Sequence, residues 1–162
     1  MNTILAIDPG YDRCGVAIVE IGSAPTLLYS TCIETNKKEA QERRLFQIYQ
    51  SVREIIDTYH PTHLTLETLF FSVNKKTAIK VAESRGVIVL LAGVYSLPLI
   101  ELSPQAVKQS MTGVGNASKE QVERMVALTL SIDISEKIDD EIDAIALGFA
   151  AAEEIRVQGL AH

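Results

Sequence analysis

Short apolar blocks that end in a carboxylate or a turn open the chain, and longer stretches with helical spacing follow. Ile4–Asp8 and Gly15–Glu20 read as strands joined by a tight turn through Pro9 and Gly10, and Leu27–Glu34 reads as a third strand after Gly22-Ser23-Ala24-Pro25. From Glu39 to Tyr59 the period changes. Leu45, Ile48, Tyr49, Val52, Ile55 and Ile56 recur at helical intervals until Pro61 stops the run. His63–Glu67 is a fourth strand, again closed by an acid. A second helix runs from Asn74 into the low nineties and carries small residues at Ala78, Ala82, Gly86 and Gly93, which let another backbone approach closely. They predict either tight packing or a subunit contact.

Leu97–Leu102 is the fifth strand. Ser103-Pro104 is a cap followed by a first-turn proline, and Ser118 with Gln121 has capping-box spacing, so each pair opens a helix. The last helix is expected over Asp139–Val157. This order predicts an α/β chain with a five-stranded mixed sheet flanked by helices. Residues 1–157 are expected to form a single domain and 158–162 a short frayed tail.

Composition narrows the class. The chain has 162 residues, 47% of them hydrophobic, enough for a sizeable core. No apolar run reaches the ~18 residues needed to cross a bilayer, and no basic segment precedes an apolar one as in a signal peptide. A cytoplasmic protein without a membrane partner is expected. The two cysteines, Cys14 and Cys32, fit a reducing compartment, and pairing of the second and third strands about Gly22–Ala24 would set them roughly opposite each other.

A net charge of −6 argues against a general nucleic-acid binder, but its distribution matters more. Residues 132–162 hold eight acids against two bases, which is the whole surplus, whereas Asn36–Arg85 has nine basic and six acidic residues.

Four acids stand out. Asp8 and Glu67 each end a strand. If those strands are parallel neighbours, both carboxylates emerge at one sheet edge, where open α/β sheets bind ligands. Asp140 and Asp143 lie on one face of the last helix near its N-terminus, amid Ala144, Leu147 and Ala151 rather than the Lys, Glu or Gln of a solvated face. Each acid alone has a plain structural role, as turn, strand end or helix start. Together they form an oxygen-donor set suited to Mg²⁺, with Mn²⁺ as a substitute. Two such ions ~3.5–4 Å apart activate water and stabilise the leaving oxygen of a phosphodiester.

Read in order, "ILAIDPG", "CGVAIV", "LTLETLFF", "AESRGVIV", "QAVKQSMTGVGNASKEQV" and "DDEIDAIALGFA" resemble the RuvC family of bacterial Holliday-junction resolvases over nearly the whole chain. The resemblance implies an RNase H-like fold and a homodimer. It also implies paired metal-dependent nicks at a four-way DNA junction in recombination and repair, with branch-migration proteins as further partners. It carries catalytic and metal-binding roles onto Asp8, Glu67, Asp140 and Asp143; some relatives have a histidine in place of the last. Phe70 matches an aromatic that contacts bases near the junction centre, and Lys108 and Lys119 match lysines tied to DNA binding and cleavage. Stacking of a loop aromatic on an unpaired base is worth ~1–3 kcal/mol. Lys37, Lys38, Arg43, Arg44, Lys75, Lys76, Lys80 and Arg85, in the basic middle of the chain, are candidate phosphate contacts.

Three other readings compete. Actin-like kinases share the fold and the first-hairpin turn, but need two such domains and have no use for Asp140 and Asp143. A non-catalytic junction-binding dimer would be favoured by loss of an acid, and none is lost. A resolvase-like nuclease acting on another branched substrate would carry the same fold and acids.

Overall fold

The computed structural model describes residues 2–68 and 75–159. Five strands, β1 (Thr3–Asp8), β2 (Arg13–Glu20), β3 (Thr26–Glu34), β4 (His63–Glu67) and β5 (Leu99–Leu102), form one sheet in the order β3-β2-β1-β4-β5. The two hairpin pairings are antiparallel, while β1–β4 and β4–β5 are parallel. The helices are α1 (Gln41–Tyr59), α2 (Lys75–Val94), α3 (Pro104–Thr112), α4 (Lys119–Leu130) and α5 (Asp139–Gln158). The mixed sheet and its flanking helices agree with the pattern of apolar positions. Strand alternation divides the core in two. Leu5, Ile7, Val16, Ile18, Leu64 and Leu66 pack with Ile48, Val52, Ile88 and Leu91 of α1 and α2. Ile4, Ala6, Ala17 and Val19 pack with α3, α4 and α5.

Small side chains on this second face let α5 ride close to the sheet. A Cβ built on Gly15 would stand 1.7 Å from the carbonyl oxygen of Asp140, and one on Gly148 would stand 2.7 Å from Val19 Cγ2. The apolar character of α5 on almost every side follows from its position, since it is covered by β1 and β2 beneath and by α3 and α4 beside it.

The turn after Asp8 is gripped from the other face. The buried Arg44 of α1 donates from Nη2 to the Tyr11 carbonyl at 2.9 Å and from Nε to Thr35 Oγ1 at 3.0 Å, and it pairs with Asp12. Ser84 Oγ of α2 donates to the Gly10 carbonyl at 3.0 Å. Asp8 therefore ends a strand whose exit is anchored by two helices.

The expected boundaries move by a few residues. β2 begins at Arg13, α1 at Gln41, and α5 takes in Gln158, the first residue of the expected tail. One expectation is corrected. Cys14 pairs with Ile33 and Gly15 with Cys32, so the two thiols lie on opposite faces of the sheet, Cys14 in the α1/α2 core and Cys32 facing α5. A shift of one residue in register flips a side chain across a sheet, and both cysteines are free.

Candidate active site

Strand alternation decides which way the first two acids point. Asp8 continues the parity of Ile4 and Ala6 and so faces α5. The pairing Ile7↔Leu66 places Glu67 beside it at the end of the parallel neighbour. Helix α5 crosses this sheet edge with its N-terminal turn and delivers Asp143. Asp8, Glu67 and Asp143 then line one cleft of about 270 Å³, walled by Pro104 and Val107 of α3, Val122 of α4, and Ala146 and Leu147 of α5. Lys108 of α3 and Lys119 of α4 line it too. Lys119 is placed by a full capping box, in which Ser118 Oγ accepts from the Gln121 N–H and Gln121 Oε1 accepts from the Ser118 N–H.

Burial in this cleft works against charge on the acids. Asp8 is pushed up from 3.8 to about 7, first by burial and then by the charges of Asp143, Glu67 and Asp140. Glu67 is raised by burial and by Asp143, with Lys108 opposing. Asp143 is raised by burial against the pull of Lys119. Partial burial of the Lys119 ammonium is outweighed by Asp143 and Asp139, which hold its pKa above the ordinary value. Three buried carboxylates in one cleft resist ionising together, and an added cation would offset that resistance.

Asp140 stands apart from the other three. It does not line the cleft, and its Oδ2 lies 3.2 Å from Nε of Arg13. Lys119 Nζ meanwhile bridges Asp139 at 3.3 Å and Asp143 at 3.5 Å. Among the described residues, no three His, Cys, Asp or Glu side chains are gathered as a ready metal cage. The donor chemistry fits a hard divalent ion nonetheless, being carboxylate oxygens alone with no nitrogen or sulfur among them.

The profile of the family described as "Crossover junction endodeoxyribonuclease RuvC" matches residues 4–151. The chain belongs to the RuvC family. A RuvC from Brachyspira hyodysenteriae is 42% identical over 154 residues, covering 94% of this chain and 95% of that protein. One from Moorella thermoacetica is 42% identical over 151 residues, covering 92% and 90%. Both carry the name crossover junction endodeoxyribonuclease. The solved structure of Thermus thermophilus RuvC in complex with Holliday junction substrate superposes with a TM-score of 0.90 at 27% identity, covering 98% of this chain and 97% of that one. The yeast mitochondrial Holliday junction resolvase Ydc2, at 13% identity and a TM-score of 0.67, shares the fold; it covers 94% of this chain and 79% of its own.

Set against the RuvC resemblance, the remaining candidates divide. Lys108 and Lys119 are in the cleft. Lys80 Nζ lies 5.1 Å from the ring centre of Tyr11, and Arg85 is paired with Glu101. Phe70 and the side chains of Lys75 and Lys76 lie outside the described residues. Sequence reasoning missed Arg13. A charged residue just after a turn looks solvated, but it shares the parity of Gly15, and Gly15 touches the backbone of Asp140.

Proposed function

We propose that this chain is a metal-dependent endodeoxyribonuclease that resolves four-way DNA junctions. The observation that carries the reading is the convergence of Asp8, Glu67 and Asp143, from three separate stretches of chain, in one cleft with Lys108 and Lys119. The named relatives and the junction-bound structural neighbour supply the substrate class. Asp8, Glu67, Asp140 and Asp143 would hold two Mg²⁺ ions, with Mn²⁺ able to substitute. Bound there, the ions supply charge neutralisation and an activated water.

The chain's own groups do the rest. Lys119, placed at the start of α4 by the capping box, receives a phosphate. Lys108 adds a second cation at the cleft wall. Val107, Val122 and Leu147 limit water on the apolar side. Phe70, Lys75, Lys76, Lys80 and Arg85 contact the junction arms and centre. These contacts, phosphate-directed apart from Phe70, weaken as salt rises.

The active form is a homodimer formed through α2. Ile79, Leu90 and Val94 are exposed there, at 64%, 61% and 64%, and a Cβ added at Gly86 or Gly93 would meet nothing. Gly86 and Gly93 are therefore not used for packing inside the chain. No helix among the described residues is long and apolar enough to cross a membrane, and the proposed site of action is the cytoplasm, beside branch-migration proteins.

The test offers labelled four-way junction, another branched DNA and plain duplex, with Mg²⁺ and with chelator, to the wild type and to Asp8→Asn. Paired Mg²⁺-dependent nicks in the junction, and junction binding without cutting by Asp8→Asn, are expected. Cutting by Asp8→Asn at the wild-type rate would remove Asp8 from the mechanism. Binding without cleavage by the wild type would leave a junction-binding dimer, and nicks confined to the other branched DNA would move the substrate.

A further inference from the structure

The ion pair between Arg13 and Asp140 has no part in the reading above. Arg13 opens β2 on the face that α5 covers, two positions before Gly15, and its side chain is 53% exposed against 28% for that of Asp140. Of the four acids, the one that does not line the cleft is the one with an arginine to itself. Lys119 behaves differently, since it lines the cleft and divides its charge between Asp139 and Asp143. A guanidinium does not lose its proton at any ordinary pH, so a partly exposed pair of this kind opens by exchange of partners, the carboxylate competing with water and with other anions for the arginine. Phosphate is the anion a nucleic acid brings, and the planar guanidinium fork fits it as well as it fits a carboxylate.

We propose that Arg13 is a positioning residue. It holds Asp140 out of the metal-binding set in the free protein and surrenders it when a DNA phosphate takes the guanidinium. The proposal rests on the nuclease reading above. Two consequences follow. The free protein meets a divalent ion with three acids rather than four. DNA and metal then favour each other's binding, because the exchange of partners that one of them needs is the exchange the other rewards.

The test has two arms, neither of which reads cleavage. In the first, Mn²⁺ is titrated calorimetrically into DNA-free wild type, Arg13→Ala, Arg13→Lys and Asp8→Asn. Arg13→Ala should bind Mn²⁺ about threefold more tightly than wild type, the scale of a partly exposed ion pair. Arg13→Lys, which keeps the charge, should stay close to wild type, and Asp8→Asn should bind weakly. In the second, junction affinity is measured against salt in chelator. The slope of log affinity on log salt should fall by about one in Arg13→Ala, one phosphate contact being lost.

Mn²⁺ affinity in Arg13→Ala equal to or below wild type, with Asp8→Asn still impaired, overturns the role of Arg13 alone. An unchanged salt slope does the same. Mn²⁺ binding that neither Asp8→Asn nor Arg13→Ala alters, or no binding by any of the proteins, overturns the metal reading and this inference with it.

Discussion

Gly15→Ala tests the geometry of the acids without touching any of them. Gly15 pairs with Asp8 across the first hairpin and lies directly under the first turn of α5. The added Cβ would stand 1.7 Å from the Asp140 carbonyl oxygen. Carbon and oxygen meet comfortably at about 3.3 Å, so strand and helix must part by roughly 1.5 Å. The atom in the way is backbone, hydrogen-bonded within a helix, and cannot rotate aside. Overpacking of this kind costs about 1–3 kcal/mol, which in a chain of this size lowers Tm by about 2–4 °C per kcal/mol.

The cost to chemistry should be larger. Asp140 and Asp143 ride on the displaced turn while Asp8 and Glu67 stay with the sheet, and a misplacement near 1 Å costs about 10²-fold in rate. Cleavage of a labelled junction should therefore fall about 10²-fold, with junction affinity in chelator nearly unchanged. Gly148→Ala is the matched control. Its Cβ would press on Val19 Cγ2 at 2.7 Å and Ala6 Cβ at 3.1 Å, further along the same helix and away from the acids. It should cost comparable stability and much less activity. Equal losses in the two variants, or Gly15→Ala cutting at the wild-type rate, would refute the claim that this contact sets the spacing of the acids.

Other outcomes follow from the same structure. Asp8 has a folded pKa of about 7 against 3.8 unfolded, so its contribution to stability is complete below the lower value and is lost as pH rises through the upper one. In chelator, Asp8→Asn should gain Tm over wild type progressively from about pH 4 to pH 8, and parallel curves would contradict this. Asp12 behaves oppositely. Burial pushes it up, but Arg44 and Lys37 outweigh that and hold it below its ordinary value, so its contribution is present at neutral pH and lost as pH falls through the folded value. Arg44→Ala should cost about 2 kcal/mol in denaturant unfolding at pH 7 and lose part of this acid sensitivity. Leu90→Glu, on the exposed apolar stripe of α2, should sediment as a monomer; an unchanged association state would move the dimer contact elsewhere.

The order of elements was legible because apolar spacing switches cleanly between alternation and helical intervals. Asp8 and Glu67 were legible as a pair for the same reason: each breaks an apolar strand at its last position, and parallel pairing then brings them together. Asp140 and Asp143 stood out because α5 has no solvated face among which to hide them. What alternation could not give was register. A single residue of slip decides whether Cys14 faces Cys32 or lies across the sheet from it, and the turn at Gly22–Ala24 did not specify it. Arg13 was missed on the same ground, since its neighbour is chosen by register and by the approach of α5. The small residues of α2 allowed two readings, and what the structure adds is that Gly86 and Gly93 face open space rather than a neighbouring element of the chain.

Where the acids sit in the fold bears on how an acidic chain could present the proposed site for DNA. Of the eight acids in residues 132–162, four lie within Asp139–Asp143, in the first turns of α5, where the helix dipole favours negative charge. Glu141 among them is turned inward, accepting from Ser30 Oγ and Lys137 Nζ, both at 2.6 Å. Glu153 is paired with Arg156 at 2.5 Å. Asp139, Asp140 and Asp143 are engaged by Lys119 and Arg13. Half of these acids are thus gathered at one end of one helix rather than spread over the surface. Two divalent ions would add four positive charges there, taking the formal total from −6 to −2. They would also release Lys119 and Arg13 from carboxylates toward phosphate. On the proposed reading, the acidity that argues against a nucleic-acid binder when summed over the chain would, once placed, be the charge that draws in the metal and keeps two cations in reserve for the DNA.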